Sequence, residues 1–475
     1  MTKRLIALFL VLILIFALVG CGKEKRKIIQ LTLSTEDSEA ILAAAGIMLP
    51  DVEEVAAAGS TIDYYSWEDP FHNYAEDEII NTGYWTFKNK YGCEINWIEC
   101  TYSMRFDGLA NLILAGTSPD FYRAYPEMFP EKPIKGMFQP TDDYIDYNDP
   151  LWKGMSDYVY AYFSLNGRPY IIGTDTTPGP VCAYNRRVMD EWGFDDPAEL
   201  YYNDEWTWDK FLSMCLEFND PDEEKYALSG FSISYALMHS SGASVVQYDT
   251  ETKRYYNNSD DVRLERAASL LYDISKNQLI TPGANKGGIE GGGIKEGDTL
   301  FVIRHSYAFT GPVADIGNVW GDMAAGEVMF CPLPRDSEGD GTYCIESMCT
   351  GYCIVNGAEN PEGVVLLAAC ERFKVLDPTV ISIDIKQKKE IYLWNDEMLD
   401  MWDICYELSN SPETAMVNYE AGLGSKLSSA ISDYEGIAFS SNASTWAQIK
   451  EANSEKLQYY IDDLNRQLDE FEGNL

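Results

Sequence analysis

The chain has 475 residues, with 36 Lys and Arg against 76 Asp and Glu, for a formal net charge of −40. One hydrophobic core rarely grows beyond about 250–300 residues, so this length implies two or three domains' worth of core. The charge argues against nucleic acid or anionic lipid headgroups as partners of the folded body, and the 46% apolar and 13% aromatic content argues against disorder.

The N-terminus comes first in the chain and in the argument. Lys3 and Arg4 form a short positive region, residues 5–19 are uninterrupted apolar sequence, and Gly20-Cys21 follows. About 15 apolar residues fall short of the ~20 that span hydrocarbon, so residues 1–20 read as a signal peptide. The alternative is an uncleaved signal anchor. Leu18-Val19-Gly20-Cys21 resembles a bacterial lipobox, which implies cleavage before Cys21 and lipidation of its thiol, with the chain held on the extracytoplasmic face of the cell membrane by lipid alone. Removing the signal takes Lys3 and Arg4 with it and leaves 34 basic against 76 acidic residues, near −42. Lys23, Lys25, Arg26 and Lys27 then lie beside the bilayer. Residues 21–59 read as the lipidated Cys and a flexible tether, with the Ala/Glu-rich run 35–58 able to form a loose helix.

The globular part begins near residue 60. Residues 61–67 (TIDYYSW) predict a strand, Gly92 breaks the chain, and 93–99 (CEINWIE) predicts a second strand by its period-2 alternation. Residues 104–115 place Phe106, Leu109 and Ile113 on one helical face and stop at Gly116. This strand–helix–strand–helix order predicts α/β layers with a largely parallel sheet. In 207–219 Thr207 is a candidate N-cap with Phe211, Leu212, Cys215 and Leu216 as the apolar stripe; in 361–373 Pro361 follows an Asn360 cap; residues 446–471 predict a long amphipathic helix. Trp206 and Trp208 open a helix and read as packed rather than ligand-binding. There is no internal repeat.

The ten cysteines beyond Cys21 are even in number in an exported chain, which suggests disulfides. Most sit in apolar strand or helix patterns, as Cys215 and Cys370 do, and the preferred reading is mostly reduced, buried thiol. Cys344, Cys349 and Cys353 have no CxxC and no nearby His, a poor zinc pattern. The Gly-rich 283–297 contains no phosphate-binding motif, and His72, His239 and His305 are scattered lone residues. Neither a metal nor a cofactor is expected.

Several stretches together carry a resemblance. Residues 90–120 (KYGCEINWIECTYSMRFDGLANLILAGTSPD), 167–172 (GRPYII), 184–208 (YNRRVMDEWGFDDPAELYYNDEWTW), 297–303 (GDTLFVI) and the order Pro332-Leu333-Pro334, Gly351-Tyr352, Ala358-Glu359-Asn360-Pro361-Glu362 are similar to family 1 extracellular solute-binding proteins, the sugar-type receptors of ABC importers. The resemblance implies an α/β, two-lobe periplasmic-binding-protein-like fold of type II with a ligand cleft between the lobes. It implies one lobe from 60–172 plus 346–385 and the other from 173–345 plus 386–475, with Gly173 and Thr176–Pro180 as one crossover. It implies a receptor and not an enzyme: the chain would be a monomer that binds a mono- or oligosaccharide and passes it to ABC permease subunits.

Ligands of open α/β sheets sit beyond the carboxyl ends of strands, which selects Trp67, Glu68 and Asp69 after the first strand. A flat indole packs on a sugar's C–H face and carboxylates accept its hydroxyl protons. Arg123 and Tyr125 follow the family's Pro-Asp pair, in which Asp120 is expected to brace a turn. Asp175 lies on the crossover. Alignment of GDTLFVI with the family strand puts Tyr307 and Phe309 where sugar receptors present stacking aromatics, often Trp, so this chain departs from the usual sugar platform. The competing readings are a cell-surface carbohydrate-active enzyme of glycosidase type, which needs two carboxylates ~5–10 Å apart, and a surface lipoprotein with no transport role.

Overall fold

The computed structural model describes residues 33–71, 79–230, 232–284, 293–309, 320–418, 420–440 and 443–473. Cys21 and the apolar segment before it lie outside the described residues, and no helix among those described is long and apolar enough to cross a membrane.

Two sheets organise the chain. The first contains β1 (Thr61–Ser66), β2 (Glu94–Glu99), β3 (Phe121–Arg123) and β4 (Ile172–Pro178). The second contains β5 (Pro180–Asn185), β6 (Tyr226–Ser229), β7 (Thr299–His305) and β8 (Val328–Cys331). The chain then returns to the first sheet as β9 (Ile345–Ile354) and β10 (Ala415–Val417). The first sheet runs β10-β9-β3-β1-β2 with β4 also on β9, and the second runs β8-β5-β7-β6. β1 is parallel to β2 and β3, but β9 is antiparallel to β3 and β4, and β5 is antiparallel to β7 and β8. Both sheets are therefore mixed rather than largely parallel. The strands that leave and re-enter a lobe lie side by side, so the outgoing and returning chain must run in opposite senses.

The crossover between the sheets is narrow. β4 ends at Pro178, Gly179 intervenes, and β5 begins at Pro180 in the other sheet. The Gly179 amide donates to the Glu346 carbonyl at 2.8 Å, and a Cβ on Gly179 would lie 2.5 Å from Glu346 Cβ. Only a residue without a side chain lets the two connecting segments approach so closely.

The apolar pattern explains most of the helices. Thr207 caps Trp208–Phe218 by accepting from the Lys210 amide, and that helix buries Trp208, Phe211, Met214, Cys215 and Phe218. Leu216, expected on its apolar stripe, is exposed, so the buried face is rotated toward Met214 and Phe218. Gly116 ends Arg105–Ala115 at φ +70°, and Asn360 caps Pro361–Leu376. Asp120 braces its turn: its two carboxylate oxygens accept from the amides of Asp63 at 2.8 Å and Asn360 at 2.7 Å. Trp446–Gly473 closes the chain as the expected long helix.

Part of the segment expected to be a flexible tether is packed on the folded body. Thr35–Met48 is a helix capped by Ser34, and Ile41 and Ala45 are fully buried in the first lobe's core with Phe87, Tyr91 and Ile383. Lys90 Nζ donates to the Ala45 carbonyl at 2.8 Å, and Lys386 pairs with Asp37 at 2.9 Å. Small alanines allow this helix to lie close to its neighbours, which the sequence shows only as low complexity.

The ten cysteines of the described residues are all free, and only Cys100 and Cys349 are better than fully buried, at intermediate exposure. Burial pushes both thiols up, away from the reactive thiolate. Native thiol titration of the chain from residue 33 onward is expected to react slowly and with these two at most. Denaturation should release all ten, and a deficit after denaturation would mean disulfides.

Asp384, on the helix Pro378–Ile391, has its pKa pushed up to about 6, chiefly by burial, despite Lys374, Lys388 and a hydrogen bond from Thr82. Between pH 4 and 6 the folded chain holds a proton that the unfolded chain has released, so this group lowers stability as pH rises through that window. Asp384→Asn is expected to flatten that slope and to add about 2 kcal/mol at pH 7. Urea midpoints at pH 4, 5, 6 and 7 measure both effects.

Candidate functional site

The carboxyl ends of β1 and β3 bring four of the expected residues together. Trp67 packs on Tyr125 with ring centroids 5.0 Å apart and edge-on against Tyr102 at 5.0 Å. Arg123 donates to Glu68 Oε1 at 2.8 Å, and the Tyr125 hydroxyl donates to the same oxygen. β1 and β3 are neighbours in the sheet, so residues just past their ends must meet. Burial opposes the Arg123 charge, but Tyr125, Tyr64 and Glu68 outweigh it and hold the pKa above its ordinary value. Burial likewise raises the Tyr125 hydroxyl, which stays protonated as a donor. Asp69 turns back on its own chain and accepts from the Phe71 amide at 3.1 Å.

Two residues the sequence did not single out complete this rim. Arg105 lies over the Tyr102 ring at 3.7 Å and within 5.5 Å of the Trp67 ring, and it pairs with Glu127 at 2.9 Å. Tyr102 and Arg105 lie far along the chain from every expected site residue, and only the fold turns the start of the helix Arg105–Ala115 toward Trp67.

Facing this rim is the lobe junction. The turn Glu420–Gly422 seats on the turn Pro126–Met128 that follows Tyr125, so closely that a Cβ on Gly422 would lie 1.9 Å from the Phe129 carbonyl oxygen and 2.6 Å from that of Pro126. Glu420 also faces His239, whose Nε2 is 3.5 Å from Glu420 Oε1 and whose Nδ1 is 3.3 Å from Glu346 Oε2. Asn418 Nδ2 donates to Glu346 Oε2 at 3.1 Å. His239 is 3% exposed. Burial lowers its proton affinity, but Glu346 and Glu420 overcome that, and its pKa stands well above the ordinary value. A second histidine, His305 at the end of β7, bonds through Nε2 to the Tyr235 hydroxyl at 2.6 Å. His239 and His305, lone residues in the sequence, thus become partnered by residues from distant stretches of chain, Glu346 and Glu420 for the first and Tyr235 for the second, while His72 lies outside the described residues.

Asp175 lies elsewhere. It accepts from the Tyr406 hydroxyl at 2.5 Å, and its neighbour Thr176 donates to Asn410 at 2.7 Å. Burial raises its pKa against that bond. It lines a separate groove of about 540 Å³ with Tyr158, Arg372 and Leu376, whereas Trp67, Glu68, Arg123 and Tyr125 do not reach that groove. Another groove of about 550 Å³, lined by Ser241, Arg263 and Asp336 among others, contains none of the expected residues. Tyr307 and Phe309 belong to the turn Ser306–Phe309 directly after β7, and the Ser306 hydroxyl ties that turn to the Pro178 carbonyl at 2.6 Å. Their side chains lie outside what the structure describes.

Residues 58–368 match the sequence family described as bacterial extracellular solute-binding protein. No curated protein matches the chain. Among solved structures, an ABC substrate-binding protein from Listeria monocytogenes in complex with cycloalternan has TM-score 0.59 at 14% identity, covering 86% of this chain and 99% of that one. A solute-binding protein from Thermotoga lettingae bound with α-D-tagatose has TM-score 0.59 at 15% identity, covering 85% and 100%. The galacto-N-biose/lacto-N-biose I-binding protein of an ABC transporter from Bifidobacterium longum, in complex with lacto-N-biose, has TM-score 0.58 at 14% identity, covering 86% and 97%. At these identities the likeness is one of fold, the two-lobe type II architecture.

Proposed function

The chain belongs to the bacterial extracellular solute-binding protein family, and we propose that it is a lipid-anchored, monomeric receptor that captures a neutral carbohydrate between its lobes and delivers it to an ABC permease. The observation that carries this reading is the rim at the ends of β1 and β3. Trp67 and Tyr125 offer flat apolar faces beside the Glu68–Arg123 pair, the combination that packs on a sugar ring while exchanging hydrogen bonds with its hydroxyls. Solutes held by proteins of the same fold, tagatose and lacto-N-biose among them, are of this class. The net charge of −40 disfavours an anionic solute.

The test is a panel of mono- and oligosaccharides screened by thermal shift, with hydrolysis assayed in parallel. A solute at about 100 times its Kd adds about 2.7 kcal/mol of apparent stability. Turnover would replace the receptor by a glycosidase, and silence across a broad panel would favour a surface lipoprotein with no transport role. The fragment tested should begin at or before residue 33, because a start at residue 60 removes the helix Thr35–Met48 from the first lobe's core. For the anchor, Cys21→Ala is expected to leave the chain uncleaved or released from the membrane. Unchanged mass and membrane retention would reject lipidation.

A further inference from the structure

The junction cluster gathers more buried acceptor atoms than its hydrogen-bond donors satisfy. One ligand atom each of His239, Glu420 and Glu435 lie within 4.8 Å of one another. Unless the two carboxylates share a proton, Glu420 Oε1 and Glu435 Oε1 are enclosed with no hydrogen-bond partner, and Glu346 Oε1, on a side chain only 1% exposed, has none either. The 3.5 Å between His239 Nε2 and Glu420 Oε1 is too long for a charge-assisted hydrogen bond, which closes to about 2.7–2.9 Å. It does match the edge of a tetrahedron built on bonds of about 2.1 Å to a central ion, roughly 3.4 Å.

The surroundings point the same way. Glu346 accepts at Nδ1, which leaves Nε2 of the imidazole directed at the carboxylates, the arrangement in which a buried acid orients a metal-ligating histidine. Glu435 is the last residue of the helix Ser425–Glu435, where the helix dipole is negative and a carboxylate is unfavourable unless a cation answers it. The carboxylates that raise the proton affinity of His239 favour any cation at the same place.

We propose that His239, Glu420 and Glu435 form a zinc-type divalent cation site at the lobe junction, oriented by Glu346, with water completing the coordination. Its imidazole nitrogen selects a transition-metal ion over calcium or magnesium. The ion would tie the helix Ile233–His239, the turn Glu420–Gly422 and the end of the helix Ser425–Glu435 to one another beneath the cleft. The site stands independently of which solute is bound. Without a cation, burial and the facing Glu420 make Glu435 retain a proton, and the cluster is then a shared-proton network.

The full chain, purified in detergent and stripped with chelator, separates the two. Titration with Zn²⁺ or Mn²⁺ is expected to raise the thermal midpoint, to leave about one ion per chain by metal analysis, and to do neither in Glu435→Gln. Zinc-edge X-ray absorption of the wild-type chain should show nitrogen and oxygen ligands without sulfur, a readout that holds even where the variant fails to fold. No midpoint rise with either ion overturns the site, as does a rise that persists in Glu435→Gln or sulfur ligation from the free cysteines.

Discussion

Replacing Trp206 by alanine is expected to cost the second lobe about 3–5 kcal/mol. Its side chain is completely buried, with the Phe301 ring at 5.7 Å and the Phe211 ring at 5.9 Å. The indole Nε1 donates to the Pro332 carbonyl at 2.9 Å, so truncation opens a cavity and also strands a buried acceptor. The backbone around it is fixed from both sides: the Arg335 amide donates to the Trp206 carbonyl, and the Trp208 amide donates to the Arg335 carbonyl, which limits collapse into the void. Denaturant unfolding followed by intrinsic fluorescence and by circular dichroism measures the loss, with separate transitions for the two lobes treated separately. A loss below about 1 kcal/mol would mean that the neighbouring chain closes the cavity.

Trp206 also marks what could be read from sequence and what could not. Its place before a capped helix marked it as packed, and the cap at Thr207, the stop at Gly116 and the brace at Asp120 were legible because each depends on residues a few positions away. The family and the two-lobe fold were legible through the order of such local stretches, from the Lys90–Asp120 run to Asn360-Pro361. Strand direction was not. β9 lies between β3, β4 and β10, partners scattered over most of the chain, and no local pattern reports that. The packing of the helix Thr35–Met48 was hidden because alanine and glutamate over a short run look alike in a loose tether helix and in a tightly packed one. His239 was hidden more deeply. Its partners Glu346 and Glu420 sit in a strand and in a turn with no motif, and only the return of the chain to the first sheet brings them to one point. Asp175 was selected for lying on the crossover, but position along β4 does not decide which side of the sheet a side chain takes. The hydrogen bond from Tyr406 directs it to the helix Asp396–Asn410 instead.

Trp67→Ala should behave in the opposite way to Trp206→Ala. The Trp67 side chain is only partly buried and packs mostly on the rim residues Tyr102, Tyr125 and Arg105, with one tilted contact to the buried Tyr122 ring at 6.3 Å. Its removal is therefore expected to leave the unfolding free energy within about 1 kcal/mol of the parent. Binding should suffer far more. An aromatic that forms one wall of a binding site commonly carries 2 kcal/mol or more of the affinity, and each 1.4 kcal/mol is a factor of ten, so the captured carbohydrate should bind about 30-fold more weakly or worse. Arg123→Lys supplies the comparison. It keeps the charge near Glu68 but not the planar guanidinium that stands 5.5 Å from the Tyr125 ring, so it should weaken binding less than Trp67→Ala. Calorimetric titration of both variants with the solute found for the parent, alongside their denaturation curves, separates the effects. Unchanged affinity in Trp67→Ala would remove the ends of β1 and β3 from the ligand site. An equal loss of stability and affinity would make Trp67 a packing residue, and the solute would then have to be sought along the junction side of the cleft, at Tyr235, His305 and the turn Ser306–Phe309.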